Sequence, residues 1–125
     1  MLNEKLKEVI GHSSDGAVAI VTQGINEPHV VNTWNSYITI TPDGEFLIPV
    51  GGMNETEKNI SQNNKVKLTI ANREVQGKMY KGTGFLIKGT AGFVKEGSEF
   101  EMMKTKFPWA RAVLKITIES ADQTL

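Results

Sequence analysis

Residues Val30 to Ile40 read "VVNTWNSYITI". The stretch begins as a β-branched strand, then sets Asn32, Thr33, Trp34, Asn35, Ser36 and Tyr37 in a row where a barrel strand would keep its apolar alternation. If buried, every hydroxyl and amide in it needs a hydrogen-bond partner. Trp34 and Tyr37 are three apart, so in a regular strand they face opposite sides unless a bulge re-aims one of them. Two readings stand side by side: an aromatic barrel end with satisfied side chains, or a ligand site.

Working outward, "GAVAIVTQG" (Gly16 to Gly24) alternates as a strand before this stretch, and a Pro42-Asp43-Gly44 turn leads into "EFLIPV" (Glu45 to Val50) after it. This predicts three strands in meander order. Upstream, Leu2, Leu6, Val9 and Ile10 line one face of a helix that Gly11 ends. Downstream, "NETEKNISQN" (Asn54 to Asn63) has a capping residue and an acidic first turn, which predicts a short helix. Two long strands follow, "KVKLTIANREV" and "GTGFLIKGTAGFV". "GSEFEMMKTKF" then reads as a helix with Phe100, Met103 and Phe107 on one face, and "ARAVLKITIESA" as the last strand. The expected fold is mainly β: a six-stranded antiparallel barrel with short flanking helices, since closure removes unpaired strand edges.

Composition bounds the function. The chain has 125 residues, which suits a single domain over 1–125. Fourteen Lys plus Arg balance fourteen Asp plus Glu, so no broad basic field draws nucleic acid or anionic lipid. Without cysteine there is no disulfide frame, thiolate nucleophile or iron–sulfur cluster. "MLNEKLKEVI" is charged within five residues and has no long apolar run, which predicts neither a signal peptide nor a membrane span, and a cytoplasmic protein.

"IPVGGMNETEKN" (Ile48 to Asn59) ends a strand on two glycines and opens a helix. That arrangement offers free backbone N–H groups and the positive end of a helix dipole to an anion, with Thr56 adding a hydroxyl. It also suits an ordinary connection in which Gly51 and Gly52 supply positive φ. "GTGFLIKG" (Gly82 to Gly89) lacks the Lys-Ser/Thr ending of a phosphate loop and reads as a turn into a strand. His12 and His29 have no metal-ligand spacing and no nucleophile elbow beside them, so no metal site and no triad are expected. Trp109, in "FPWARA", sits at a helix-to-strand junction, and "ADQTL" reads as a disordered tail.

Taken together, "TQG" (Thr22 to Gly24), "PHVVNTWNSY" (Pro28 to Tyr37), "PVGGM" (Pro49 to Met53), "GTGFLI", "WARA" and the terminal "QTL" make the chain resemble the small FMN-binding proteins. These form part of the pyridoxamine 5′-phosphate oxidase-like group. The resemblance implies a Greek-key split barrel and a homodimer holding FMN noncovalently at its interface. It implies that Asn32, Thr33, Trp34 and Tyr37 lie along the flavin, and that Val50, Gly51, Gly52, Met53 and Thr56 form the phosphate end. Trp109 and Leu125 are similar to residues that reach the ring from the partner subunit, which would order the chain end on dimerisation. This chain departs from the family where a Lys-Thr pair usually follows "GGM": it has Asn54, Glu55 and Thr56. Glu55 must therefore turn outward or be offset by Lys58, Arg73 or Lys88.

The expected function is electron transfer or flavin-dependent reduction, with no catalytic acid or base assigned and the redox partner unnamed. The alternative is a binding-only module for FMN or another planar cofactor such as haem, without turnover.

Overall fold

In the computed structural model, which describes residues 2–125, every strand belongs to one antiparallel sheet. In chain order the elements are α1 (Glu4–Gly11), β1 (Ala17–Gln23), β2 (Pro28–Trp34), a 3₁₀ turn (Asn35–Tyr37), β3 (Thr39–Ile40), β4 (Phe46–Val50), α2 (Asn54–Gln62), β5 (Lys65–Gln76), β6 (Lys81–Val94), α3 (Ser98–Lys106) and β7 (Ala112–Gln123). There are seven strands rather than six, because the polar centre of Val30–Ile40 breaks one expected strand into β2 and β3.

The sheet runs β2-β1-β5-β6-β7-β4-β3. β2 and β3 are its two edges, yet only the residues from Asn35 to Ile38 separate them in the chain. A seven-stranded sheet whose edges are joined by so short a link has to curl on itself, so the corner after Trp34 is where the barrel closes. The expected meander is corrected by the same fact. β3 and β4 form the hairpin around Pro42–Gly44, with Gly44 at φ 82°, but β4 pairs onward with β7 and not with β2.

Asn35 and Ser36 build the corner. Asn35 is 1% exposed; its backbone N–H donates to Gly16 O at 2.8 Å and its side-chain amide to Ala71 O at 2.9 Å. Ser36 binds the Asp15 carboxylate through both its N–H (2.9 Å) and its hydroxyl (2.6 Å). A side chain at Gly16 would strike the Ala71 carbonyl, a Cβ falling 2.5 Å from it, so only glycine lets the chain pass there. Burial works to raise the Asp15 pKa, but the Ser36 hydroxyl, the Ser36 N–H and the Gly16 N–H outweigh it and hold the carboxyl below its ordinary value.

The core fills the barrel. α1 starts on Asn3, whose Oδ1 accepts from the N–H groups of Lys5 (2.8 Å) and Leu6 (3.1 Å), and it lays Leu6, Val9 and Ile10 into that core. Inward residues of β5 alternate strictly, Val66, Leu68 and Ile70 facing in while Lys65, Lys67, Thr69 and Ala71 face out. β4 is buried on both faces: Phe46, Ile48 and Val50 join the barrel core, while Leu47 packs with Met103 and Val113 under α3. Phe100 and Phe107 flank that second cluster, as their helical spacing predicts. No described helix is long and apolar enough to cross a membrane.

Candidate functional site

The closing corner leaves a cleft of about 370 Å³ between β2 and the connection from β4 to α2. One wall is Val31 to Trp34, the other Pro49, Gly51, Gly52 and Met53, with Tyr37 and Trp109 between them. The structure therefore gathers Asn32, Thr33, Trp34, Tyr37, Gly51, Gly52, Met53 and Trp109 in one place within a single chain. The opening stretch thus divides its labour. Asn35 and Ser36 hold the corner, and the other four residues face the cleft.

Trp109 belongs to the cleft of its own chain, and no partner is needed to bring it there. Its indole lies on the glycine turn, with Cε3 3.3 Å from where a Gly51 side chain would begin, so any larger residue at 51 would push the ring away. Tyr37 and Phe107 hold it from behind, their ring centroids 5.6 and 5.7 Å from that of Trp109. Trp34 faces the cleft unsupported. Both tryptophans stay about half exposed, at 48% and 50%, an unusual state for the two largest side chains of a packed barrel.

At the other end the backbone turns polar. Gly51 and Gly52 do not have positive φ; Met53 does, at φ 55° and ψ 37°, and it precedes α2 without a side-chain cap. The first helical bond runs from Glu57 N–H to Met53 O at 2.9 Å, which leaves the amides of Asn54, Glu55 and Thr56 outside the helical ladder at the dipole's positive end. Thr56 sits in the first turn, 0% exposed, and its Oγ1 has no hydrogen-bond partner. A buried hydroxyl beside uncapped amides fits an anionic group supplied from outside the chain.

Sequence reasoning missed Arg111. Its guanidinium donates to Gly51 O (3.2 Å), to Gly52 O (2.6 and 3.1 Å) and to Glu57 Oε1 (2.8 Å), and lies 5.8 Å from the centre of the Phe93 ring. It ties the glycine turn to the first turn of α2. Lys95 completes the cluster at 2.7 Å from the Glu57 carboxylate, and Lys95 and then Arg111 hold the Glu57 pKa below its ordinary value. "WARA" contains Arg111, but nothing local in that motif reveals a turn some 60 residues upstream as its partner.

Three expected site residues lie elsewhere. Val50 is fully buried in the barrel core beneath the turn, Thr56 lies under the cleft rather than in its wall, and Leu125 stands at a separate groove. The tail is not frayed: the Leu125 backbone oxygen accepts from Thr83 Oγ1 (2.8 Å), Gln123 Nε2 (3.0 Å) and Lys78 N–H (3.2 Å) within the chain itself. Glu55 has turned away, into a crevice with His29 and Asn59 by the β1–β2 loop. Two grooves on the outer face of the sheet, of about 450 and 610 Å³, are larger than the cleft. Neither combines stacked aromatics with a helix N-terminus.

Against known proteins, residues 2–125 match the family model described as pyridoxamine 5′-phosphate oxidase. The chain is 49% identical over 112 residues to the "FMN-binding protein" of Nitratidesulfovibrio vulgaris (strain DSM 19637 / Miyazaki F), covering 90% of this chain and 91% of that one. Among solved structures it is similar in fold to Group A Streptococcus HupZ, with TM-score 0.77, 21% identity, and coverage of 97% of this chain and 92% of that one. It is also similar to an FMN-binding protein from Syntrophomonas wolfei, with TM-score 0.70, 16% identity, and coverage of 98% and 85%.

Proposed function

Because the chain belongs to the pyridoxamine 5′-phosphate oxidase family, we propose that it is a flavoprotein that holds FMN noncovalently in this cleft, at the interface of a homodimer, for electron transfer or flavin-dependent reduction. The observation that carries the reading is the pairing of Trp34 and Trp109, both half exposed, along a cleft that runs into the uncapped start of α2. A planar aromatic ligand with an anionic end matches both features.

In this reading Trp34 and Trp109 hold the ring, Asn32 and Thr33 offer hydrogen bonds to its polar edge or to the ribityl chain, and Tyr37 fixes Trp109. The amides of Asn54 to Thr56 and the Thr56 hydroxyl receive the phosphate. Arg111 does not spend its donors on the ligand; it keeps the turn in shape. Bound FMN supplies one- and two-electron redox chemistry. The residues lining the cleft include one titratable group, Tyr37, so the protein's part is to bind, orient and exclude water rather than to move protons. That favours electron transfer over acid–base catalysis.

The test is the absorption spectrum of the purified protein, followed by titration of the apo form with FMN and riboflavin. The bands of an oxidised flavin, with FMN bound more tightly than riboflavin, are expected. A Soret band, or equal affinity for the two flavins, overturns the reading.

A further inference from the structure

Two surface features have no role in the fold. At the tip of the β5–β6 hairpin, Met79 and Tyr80 are 77% and 76% exposed, and with Leu125 at 62% they border the apolar groove of about 610 Å³. Further along the same two strands, Lys67 and Lys88 stand directly opposite each other and line the groove of about 450 Å³ with Lys65 and Glu119. Like charges facing across a ladder are destabilising, and neither lysine is ion-paired among the described residues. Both features cost the isolated chain something.

The sheet register relates them to the cleft. One row across the outer face runs from Trp34 to Ala17, and from Ala71 to Gly84, with the Val18–Ile70 pair aligning the two halves. A second row runs Val30, Val21, Lys67, Lys88. The rows are four residues apart on every strand, about 13 Å at ~3.3 Å per residue. On β2 the first row meets the tryptophan end of the cleft, while the second lies toward His29, the side from which α2 starts. On β6 the first row meets the apolar groove and the second the lysines. Between them the outward positions Ala17, Ala19, Thr69 and Ala71 are small, so another sheet can approach closely.

A two-fold axis lying along the strands between β1 and β5 would therefore set β6 of one copy over β2 of the other with both rows in register. We propose that the outward face of β5 and β6 of a second copy closes the cleft, its Met79–Tyr80 tip and Leu125 over the tryptophan end and its Lys67 and Lys88 over the helix end. A second copy is the occupant because the two patches match that cleft in spacing and in chemistry at once: apolar against aromatic, cationic against the site of an anion. The lysines then supply the charge that Glu55 and Asn54 do not. This rests on the FMN reading above for what lies between the copies, but not for the contact itself.

Subunit mixing tests it. Trp34→Ala and Tyr80→Ser should each weaken FMN binding at least about tenfold as homodimers. Exchanged together, they form mixed dimers with one intact cleft, and binding should return to about a quarter of the wild-type sites, the share that random pairing gives. A mixture no better than the mean of its two components overturns the proposal. Lys88→Glu should weaken FMN about tenfold and leave riboflavin unchanged; equal effects on the two overturn the lysine half. Light scattering is the arm that needs no flavin. The wild type should be a dimer and Met79→Glu/Tyr80→Glu a folded monomer, whereas a monomeric wild type or a dimeric double variant overturns the contact. A dimer that follows this pattern yet takes up no FMN would sink the flavin reading and leave the docking standing.

Discussion

Nη2 of Arg111 donates to the carbonyl oxygen of Gly52 at 2.6 Å, and Nε reaches the same oxygen at 3.1 Å. One planar fork thereby fixes the turn on which the Trp109 ring rests. Arg111→Lys keeps the charge but not the fork, so it should lose roughly 1–3 kcal/mol of stability and loosen the cleft. A lowered thermal midpoint together with weaker FMN binding is expected. An unchanged midpoint would mean that the turn holds without the clamp.

The Glu57 carboxylate, held by Lys95 and Arg111 below its ordinary pKa of 4.5, makes that clamp pH-sensitive. A depressed folded-state pKa contributes stability above the unfolded value and loses it as pH falls through the folded one. Thermal melts of wild type and Glu57→Gln should accordingly differ at neutral pH and converge below about pH 4.5. A gap of constant size across that range would assign the difference to shape rather than charge.

Trp34 and Trp109 separate binding from folding. Trp34 has no aromatic neighbour within its own chain, whereas Trp109 packs on Gly51, Tyr37 and Phe107. Each change to alanine should cost FMN affinity on the order of 1–3 kcal/mol, the range for bases stacked on aromatic side chains. Trp109→Ala alone should also lower the apo protein's melting temperature. Equal melting temperatures for the two variants would contradict the packing described for Trp109.

What could be read from the residues is what depends on near neighbours. The face of Leu6, Val9 and Ile10, the α2 start after Met53, and the Phe100/Met103/Phe107 spacing all depend on contacts that recur within a turn or two of helix. The break at Asn35–Tyr37 was not legible, because its cause is the Ala71 carbonyl and the Asp15 carboxylate, 36 and 21 residues away from the residues that bind them. The same is true of Arg111. Its role is set by the β4–β7 register, which carries Val50 opposite Ala112 and so the glycine turn beside the guanidinium. Trp109 and Leu125 were expected to arrive from a partner together; the fold puts one in the cleft and the other about a sheet's width away.

Glu55 marks where this chain leaves its family's pattern, and the structure relieves the conflict by turning the carboxylate toward His29. Glu55→Lys should consequently alter the ratio of FMN to riboflavin affinity by less than about threefold at moderate salt, since an exposed charge pointing away is screened within a Debye length. A gain of tenfold or more, confined to FMN, would show that the side chain swings back over the phosphate when the ligand binds.

Thr56 gives the sharpest test of the anionic end. Its Oγ1 is buried with no partner, a state that costs the apo protein roughly 1–3 kcal/mol if nothing ever fills it. Thr56→Val keeps the branched shape while removing that orphan oxygen, so the apo protein should melt at the same temperature or higher. If the hydroxyl exists to meet a phosphate, FMN should bind about three- to tenfold more weakly to the same variant, while riboflavin, lacking the phosphate, keeps its affinity. Opposite signs for stability and binding in one substitution are hard to obtain from a merely structural residue. Calorimetric titration of both flavins beside a thermal melt reads all three quantities, and unchanged FMN affinity would remove Thr56 from the site and leave the phosphate to the α2 amides.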